Sequence, residues 1–291
     1  MAYSTLPRLK NKKSIEELQS IEWAAGLALV AYGLKIGIRA NDAKLLERLL
    51  DHLPPNWQVA KSPVVDRLYS IVKSKKSRQP QLPYTLYRDD EKLLATKTLK
   101  GLGDYFESDV QLYVAEFAPK RVFIHAGAVA WQGKAIIIPG RSFSGKTSLV
   151  AAFIKAGATY YSDEYAVLDE RGLLHAYPRK LSVREGERFQ GIKYSAEKLG
   201  ATVGSKPLPV GVVIVSRYRR GARWQPKSLS AGKAILALLN NTVSARRQPE
   251  IAISTLKRAI NGAQLLKSAR GEAREVVEQL IGMLKQGDIK I

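Results

Sequence analysis

The reading of the fold turns on Ala135-Ile136-Ile137-Ile138-Pro139, followed by Gly140-Arg141-Ser142-Phe143-Ser144-Gly145-Lys146-Thr147 and then Ser148-Leu149-Val150-Ala151-Ala152-Phe153. An apolar, β-branched run reads as a buried strand, and the segment after the loop reads as a helix start. The loop between them fits G-x-x-x-x-G-K-[ST], the phosphate-binding pattern. Gly140 and Gly145 let the backbone turn tightly, so that successive N–H groups can face one anion. The start of the helix adds its partial positive charge at the same point. Lys146 is then placed to reach terminal phosphates and Thr147 to offer its hydroxyl to Mg²⁺. The expected nucleotide-binding residues are Gly140, Arg141, Ser142, Phe143, Ser144, Gly145, Lys146, Thr147 and Ser148, with ATP and Mg²⁺ as the ligands.

Outward from this core, Arg121–Ile124 and Ala128–Trp131 read as strands separated by a turn at Ala126-Gly127-Ala128, with His125 at the end of the first. Downstream, Ala156-Gly157-Ala158 stops the helix, and Thr159-Tyr160-Tyr161 is a short β-prone run that ends at Ser162-Asp163-Glu164. Tyr165–Leu168 and Leu173–Tyr177 form a hairpin around Asp169-Glu170-Arg171-Gly172, within which His175 is structural. Pro209–Val215 is another apolar strand, and three helices, Ala231–Leu239, Pro249–Ile260 and Glu272–Leu284, close the chain.

Phosphoryl transfer from a loop of this kind needs a metal ligand and a proton acceptor. Asp163 and Glu164 form the best-placed carboxylate pair, at the end of a strand that sheet topology brings beside the phosphate loop. One can hold Mg²⁺ and the other can take a proton from an attacking hydroxyl. A polar turn between strands is the plainer account of the same two residues. His125 precedes a neighbouring strand and is placed to contact the pair or the nucleotide. Arg184 and Glu185 read equally well as charge-stabilising and metal-site residues or as a solvated strand end.

Ile124-His125-Ala126-Gly127, the loop from Gly140 to Thr147, Gly157-Ala158, Ser162-Asp163-Glu164, Pro178 and Leu181-Ser182 follow one another in an order that resembles the catalytic domain of HPr serine kinase and its relatives. That group shares a P-loop fold with ATP-dependent phosphoenolpyruvate carboxykinase and includes lasso-peptide kinases. The resemblance implies an α/β catalytic domain and an ATP-dependent serine kinase. It implies Asp163 as base toward the acceptor hydroxyl, Glu164 with Thr147 and Asp163 at the metal, His125 beside the base, and Lys146 on the phosphates. Two features depart from HPr kinases themselves. The second acid is Glu164 rather than Asp, and Leu181-Ser182-Val183-Arg184-Glu185-Gly186 stands where the signature Glu-Ile-Arg-Gly-Leu-Gly is expected.

Residues 1–119 read as a smaller α+β domain ahead of the catalytic domain at 120–291. Ser14-Ile15-Glu16-Glu17 is a capping-box pattern. Leu34, Ile36 and Ile38 alternate as a strand. Asn41 caps a helix through Leu53, with His52 near its end. Val64-Val65, Leu68–Val72 and Tyr84–Tyr87 read as strands, Asp89-Asp90 as a turn rather than a metal site, and Val110–Ala118 as a helix.

The chain has 291 residues, no Cys and a formal net charge of +21. Absence of Cys excludes disulfides and thiolate chemistry and suits a reducing cytoplasm. Met1–Pro7 lacks the apolar run of a signal peptide, and the early apolar stretch Ala24–Ile38 is too interrupted for a membrane span. The charge favours acidic partners. No acid occurs between Glu197 and Glu250, while Arg217, Arg219, Arg220, Arg223, Lys227, Lys233, Arg246 and Arg247 fall in that interval. A second basic run is Lys73–Arg78. The expected partner is an acidic protein or peptide bearing a Ser or Thr hydroxyl, with a small-molecule alcohol as another acceptor class. Nucleic acid gripped by the basic surface, with Tyr218 and Trp224 stacking on bases, is the reading from another class. A homo-oligomer is compatible with both.

Overall fold

The computed structural model describes residues 16, 18–74, 82–141, 144–183 and 192–286, in two compact units, Met1–Pro119 and Lys120–Ile291. The first unit carries a six-stranded sheet. Strands β1 (Ala25–Ala31) and β2 (Leu34–Ala40) form a hairpin over Tyr32-Gly33, both at positive φ. Helix α1 (Ala43–Leu49), β3 (Gln58–Val59), β4 (Arg67–Lys73), β5 (Tyr84–Arg88), β6 (Glu91–Thr96) and α2 (Leu99–Phe117) follow. The strand order is β3-β1-β2-β4-β5-β6, with β2 and β4 parallel.

Several expectations for this unit are corrected. The cap of α1 is Asp42, whose carboxylate accepts from the Lys44 amide at 3.0 Å; Asn41 instead bonds the β4 end at Lys73. Val64-Val65 lies outside the strands. Helix α2 begins at Leu99, well before Val110, and Thr98 caps it through the Gly101 amide at 3.0 Å. Gly101 and Gly103 lower helix propensity there, but a Cβ on Gly103 would strike the His52 ring. His52 in turn lies 2.7 Å from Glu107. Asp89 is a turn residue at φ 55 that accepts from the Leu68 amide. The Ser14–Glu17 pattern and the Lys73–Arg78 run lie largely outside the described residues.

The second unit is built on β7 (Arg121–Trp131), β8 (Lys134–Pro139), α3 (Lys146–Lys155), β9 (Thr159–Ser162), β10 (Tyr165–Asp169), β11 (Leu174–His175), β12 (Leu181–Val183), β13 (Ile192–Tyr194), β14 (Val210–Tyr218), β15 (Lys227–Ser228), α4 (Ala231–Leu239), α5 (Pro249–Ala259), β16 (Gln264–Arg270) and α6 (Ala273–Gln286). The main sheet runs β11-β10-β7-β8-β14-β16-β15, and β9 also pairs with β7. β8, β14 and β16 are parallel, while β7 is antiparallel to β8.

Apolar side chains fill both faces of this sheet, as a strand buried on two sides requires. Ile136 and Ile138 of β8 pack with Leu149, Val150 and Phe153 of α3 and Val276, Val277 and Leu280 of α6. Ala135 and Ile137 point the other way, into a cluster with Leu238 of α4 and Leu256 of α5. The result is the expected α/β class, with helices on both faces.

Two corrections bear on the site. The expected turn at Ala126-Gly127-Ala128 is absent: β7 is one strand of 11 residues. Gly127 serves packing instead, since a Cβ there would lie 2.5 Å from Val150 Cγ2. The lack of a side chain lets α3 settle against β7. The closing region also contains a strand, β16, beside its three helices.

Candidate active site

The loop with the phosphate-binding sequence pattern, residues 140–147, joins β8 to α3. Its entrance is fixed by the Gly140 amide, which donates to the His125 carbonyl at 3.1 Å. Its exit is Gly145, at φ 85, a left-handed conformation that favours glycine. Lys146 folds back and donates from Nζ to the Arg141 carbonyl at 2.9 Å. Burial lowers the Lys146 ammonium from its ordinary value, against the pull of Glu164 and Asp163. Ser144 lies in the loop and Ser148 is exposed on the first turn of α3. Ser142, Phe143, Arg184 and Glu185 lie outside the described residues.

The carboxylate pair sits where one antiparallel ladder is interrupted. His125 pairs with Tyr165 and Ala128 with Ser162, so β10 and β9 lie along the same strand, β7. Asp163 and Glu164 occupy the gap, and the Ala126 amide donates to the Glu164 carbonyl at 3.2 Å. Ser162 Oγ accepts from the amides of Glu164 and Tyr165 at 3.2 and 3.0 Å. This turn faces the α3 start because Gly127 permits close packing there.

Thr147 donates from its hydroxyl to Asp163 Oδ2 at 2.8 Å. Asp163 Oδ1 is closed to solvent and has no hydrogen-bond partner. Burial pushes the Asp163 carboxyl up to about 7, with Glu164 adding to the rise and Thr147 and Lys146 opposing it. Glu164 is half exposed, and its Oε1 lies 3.7 Å from His125 Nδ1. Burial, then Lys146, lowers the His125 imidazolium pKa, so the ring is neutral near pH 7 and its contact with Glu164 is dipolar. The imidazole packs on Tyr165 with ring centroids 4.6 Å apart. Tyr165 is held edge-on by Phe123 and Tyr177.

The residues fit a Mg²⁺ site of the kind completed by substrate phosphates. The unsatisfied Asp163 Oδ1, the Thr147 hydroxyl and the half-exposed Glu164 carboxylate provide hard oxygen donors. Among the described residues there is no group of three or more His, Cys, Asp or Glu side chains able to hold a metal without such help. A cleft of about 310 Å³ opens beside the same place, lined by His125, Arg141 and Asn240–Val243.

One neighbour is not legible in the sequence. Arg270, at the end of β16, is 2% exposed. Its Nη2 donates to the Gly145 carbonyl at 2.8 Å. The Lys267-Ser268-Ala269 segment hides β16 from periodicity, and one arginine among 47 Lys and Arg residues carries no signal of its own. Tyr218 is exposed, but Trp224 is buried in the core, which removes it from the expected stacking surface.

No family model and no curated protein matches the chain. Among solved structures it is similar to the HPr(Ser) kinase/phosphatase from Coxiella burnetii, at 14% identity and a TM-score of 0.32, covering 57% of this chain and 97% of that one.

Proposed function

We propose that the second unit is an ATP-dependent kinase that transfers the γ-phosphoryl group to a Ser or Thr hydroxyl of a small acidic protein or peptide. The observation that carries this reading is the Thr147–Asp163 hydrogen bond, which joins the phosphate loop to a buried carboxylate with an unbonded oxygen. The loop amides and Lys146 bind the phosphates. Thr147, Asp163 and Glu164 would hold Mg²⁺, whose chemistry there would be to neutralise phosphate charge. The acceptor oxygen attacks the γ-phosphorus, the bond to the β-phosphate oxygen breaks, and the acceptor proton passes to Asp163. Asp163 is placed for that task by its hydrogen bond to the Thr147 hydroxyl, which sets the carboxylate beside the loop. His125 orients the carboxylate turn, and the cleft beside it seats the acceptor.

The test combines calorimetric ATP binding with acceptor-dependent ADP release. Lys146→Ala should weaken terminal-phosphate affinity and turnover, each by about tenfold or more. Unchanged affinity and turnover in that variant would refute the assignment. A nucleic-acid binder would instead show strong affinity for an oligonucleotide with a steep salt slope and no acceptor-dependent ADP.

A further inference from the structure

Arg270 is a buried guanidinium without an ion pair to any carboxylate among the described residues. Nη2 holds the Gly145 carbonyl at 2.8 Å and Nη1 the Gly271 carbonyl at 3.0 Å. Nε is closed to solvent and bonded to nothing. The Tyr218 ring lies 5.4 Å from the guanidinium carbon, and Tyr218 reaches Glu272 through its hydroxyl at 3.4 Å. Burial lowers the Arg270 pKa, with Glu272 opposing the change. A desolvated cation with so little compensation is costly unless an anion approaches.

The place where that anion would come is defined by one peptide unit. The Gly145 carbonyl and the Lys146 N–H belong to the same amide. A cation on the carbonyl polarises the group and makes its N–H a stronger donor. That N–H is in the first turn of α3, where helix amides have no acceptor of their own. Gly145 is required twice over, by its φ of 85 and because a Cβ would collide with Arg270 Nη2.

We infer that Arg270 is a positioning residue for polyphosphate binding: it fixes the Gly145–Lys146 peptide toward the anion and supplies charge that the bound anion offsets. This rests on the phosphate-loop reading above, and the experiment separates the two. The full chain is melted with and without saturating inorganic tripolyphosphate, and ATP affinity is measured by calorimetry, for the parent, Arg270→Met and Arg270→Lys.

Tripolyphosphate should raise the parent's melting temperature by mass action. Arg270→Met, which keeps much of the apolar stem, should lose most of that rise and bind ATP about tenfold or more weakly. Arg270→Lys keeps the charge but not the two-pronged geometry and should fall between them. A change in the free protein's melting temperature with an undiminished tripolyphosphate rise and unchanged ATP affinity would reduce Arg270 to a packing role and overturn the inference. Should Arg270→Met not fold, parental ATP affinity in Arg270→Lys overturns it, and weakened affinity with a parent-like melting temperature supports it. No tripolyphosphate rise or ATP binding in the parent itself would overturn the phosphate-loop reading and this inference together.

Discussion

Burial raises the Asp163 carboxyl to about 7, whereas Asp169 is held at about 2. Burial also pushes Asp169 up, but the His175 ring, the Leu173 and Arg171 amides and the Arg171 guanidinium outweigh it. The stability consequences have opposite signs. Ionising Asp163 costs the free protein stability as pH rises from about 4 toward 7. Asp169 contributes stability above its unfolded pKa of about 4 that is lost as pH falls toward 2. Asp163→Asn should therefore raise the metal-free melting temperature at pH 8 while removing most phosphotransfer, about 10²-fold or more; Glu164→Gln should mainly raise the Mg²⁺ requirement. Single-turnover transfer at saturating ATP and Mg²⁺ reads the difference, and parental transfer by Asp163→Asn would place the base elsewhere. Asp169→Asn should cost about 2 kcal/mol at pH 7 and less at pH 3, by denaturant titration at both pH values.

At the scale of elements, the site depends on how closely α3 lies on β7. Gly127→Ala places a methyl group 2.5 Å from Val150 Cγ2 and should destabilise the fold by about 1–3 kcal/mol. Combining it with Val150→Ala should recover part of that loss beyond additivity, as a double-mutant cycle measures. This contact also explains what the sequence can and cannot convey. The loop, its strand and its helix are legible because glycine spacing and β-branched periodicity are local signals. Gly127 resembles a turn residue because its reason for being glycine lies on another element. β16 is hidden because its pairing with β14, rather than its own alternation, makes it a strand. The Asp163-Glu164 pair is legible, but the Thr147 bond to Asp163 requires the tertiary packing.

For the whole molecule, six of the 47 Lys and Arg residues fall in one accessible segment that contains no acid. Arg217, Arg219, Arg220, Arg223, Lys227 and Lys233 are all exposed. The Arg219 amide donates to the Arg270 carbonyl at 2.9 Å, which anchors this segment to the strand whose Arg270 holds the Gly145 carbonyl. Reversing Arg219, Arg220 and Arg223 to Glu should raise the acceptor KM and flatten its salt dependence while ATP affinity stays within a few-fold. Unchanged acceptor kinetics would leave solubility as the role of the charge. Among the described residues no helix is long and apolar enough to cross a membrane.

The interrupted ladder on β7 also sets a rule for chain length. Because β9 and β10 share one rail, the number of residues between Ser162 and Tyr165 is fixed by β7 rather than by the turn. One added residue there would have to be taken up as a second irregularity, beside the register shift that β9 already makes between Ala128 and Val129, or it would turn the side chains of β10 to the opposite face. At Gly200 and Gly221 the constraint is of another kind: a Cβ would meet nothing within 4 Å, but their φ values of 78 and 72 favour glycine. The spacing of the carboxylate turn is thus set by a neighbouring strand, whereas those two glycines are set by their own backbone conformation.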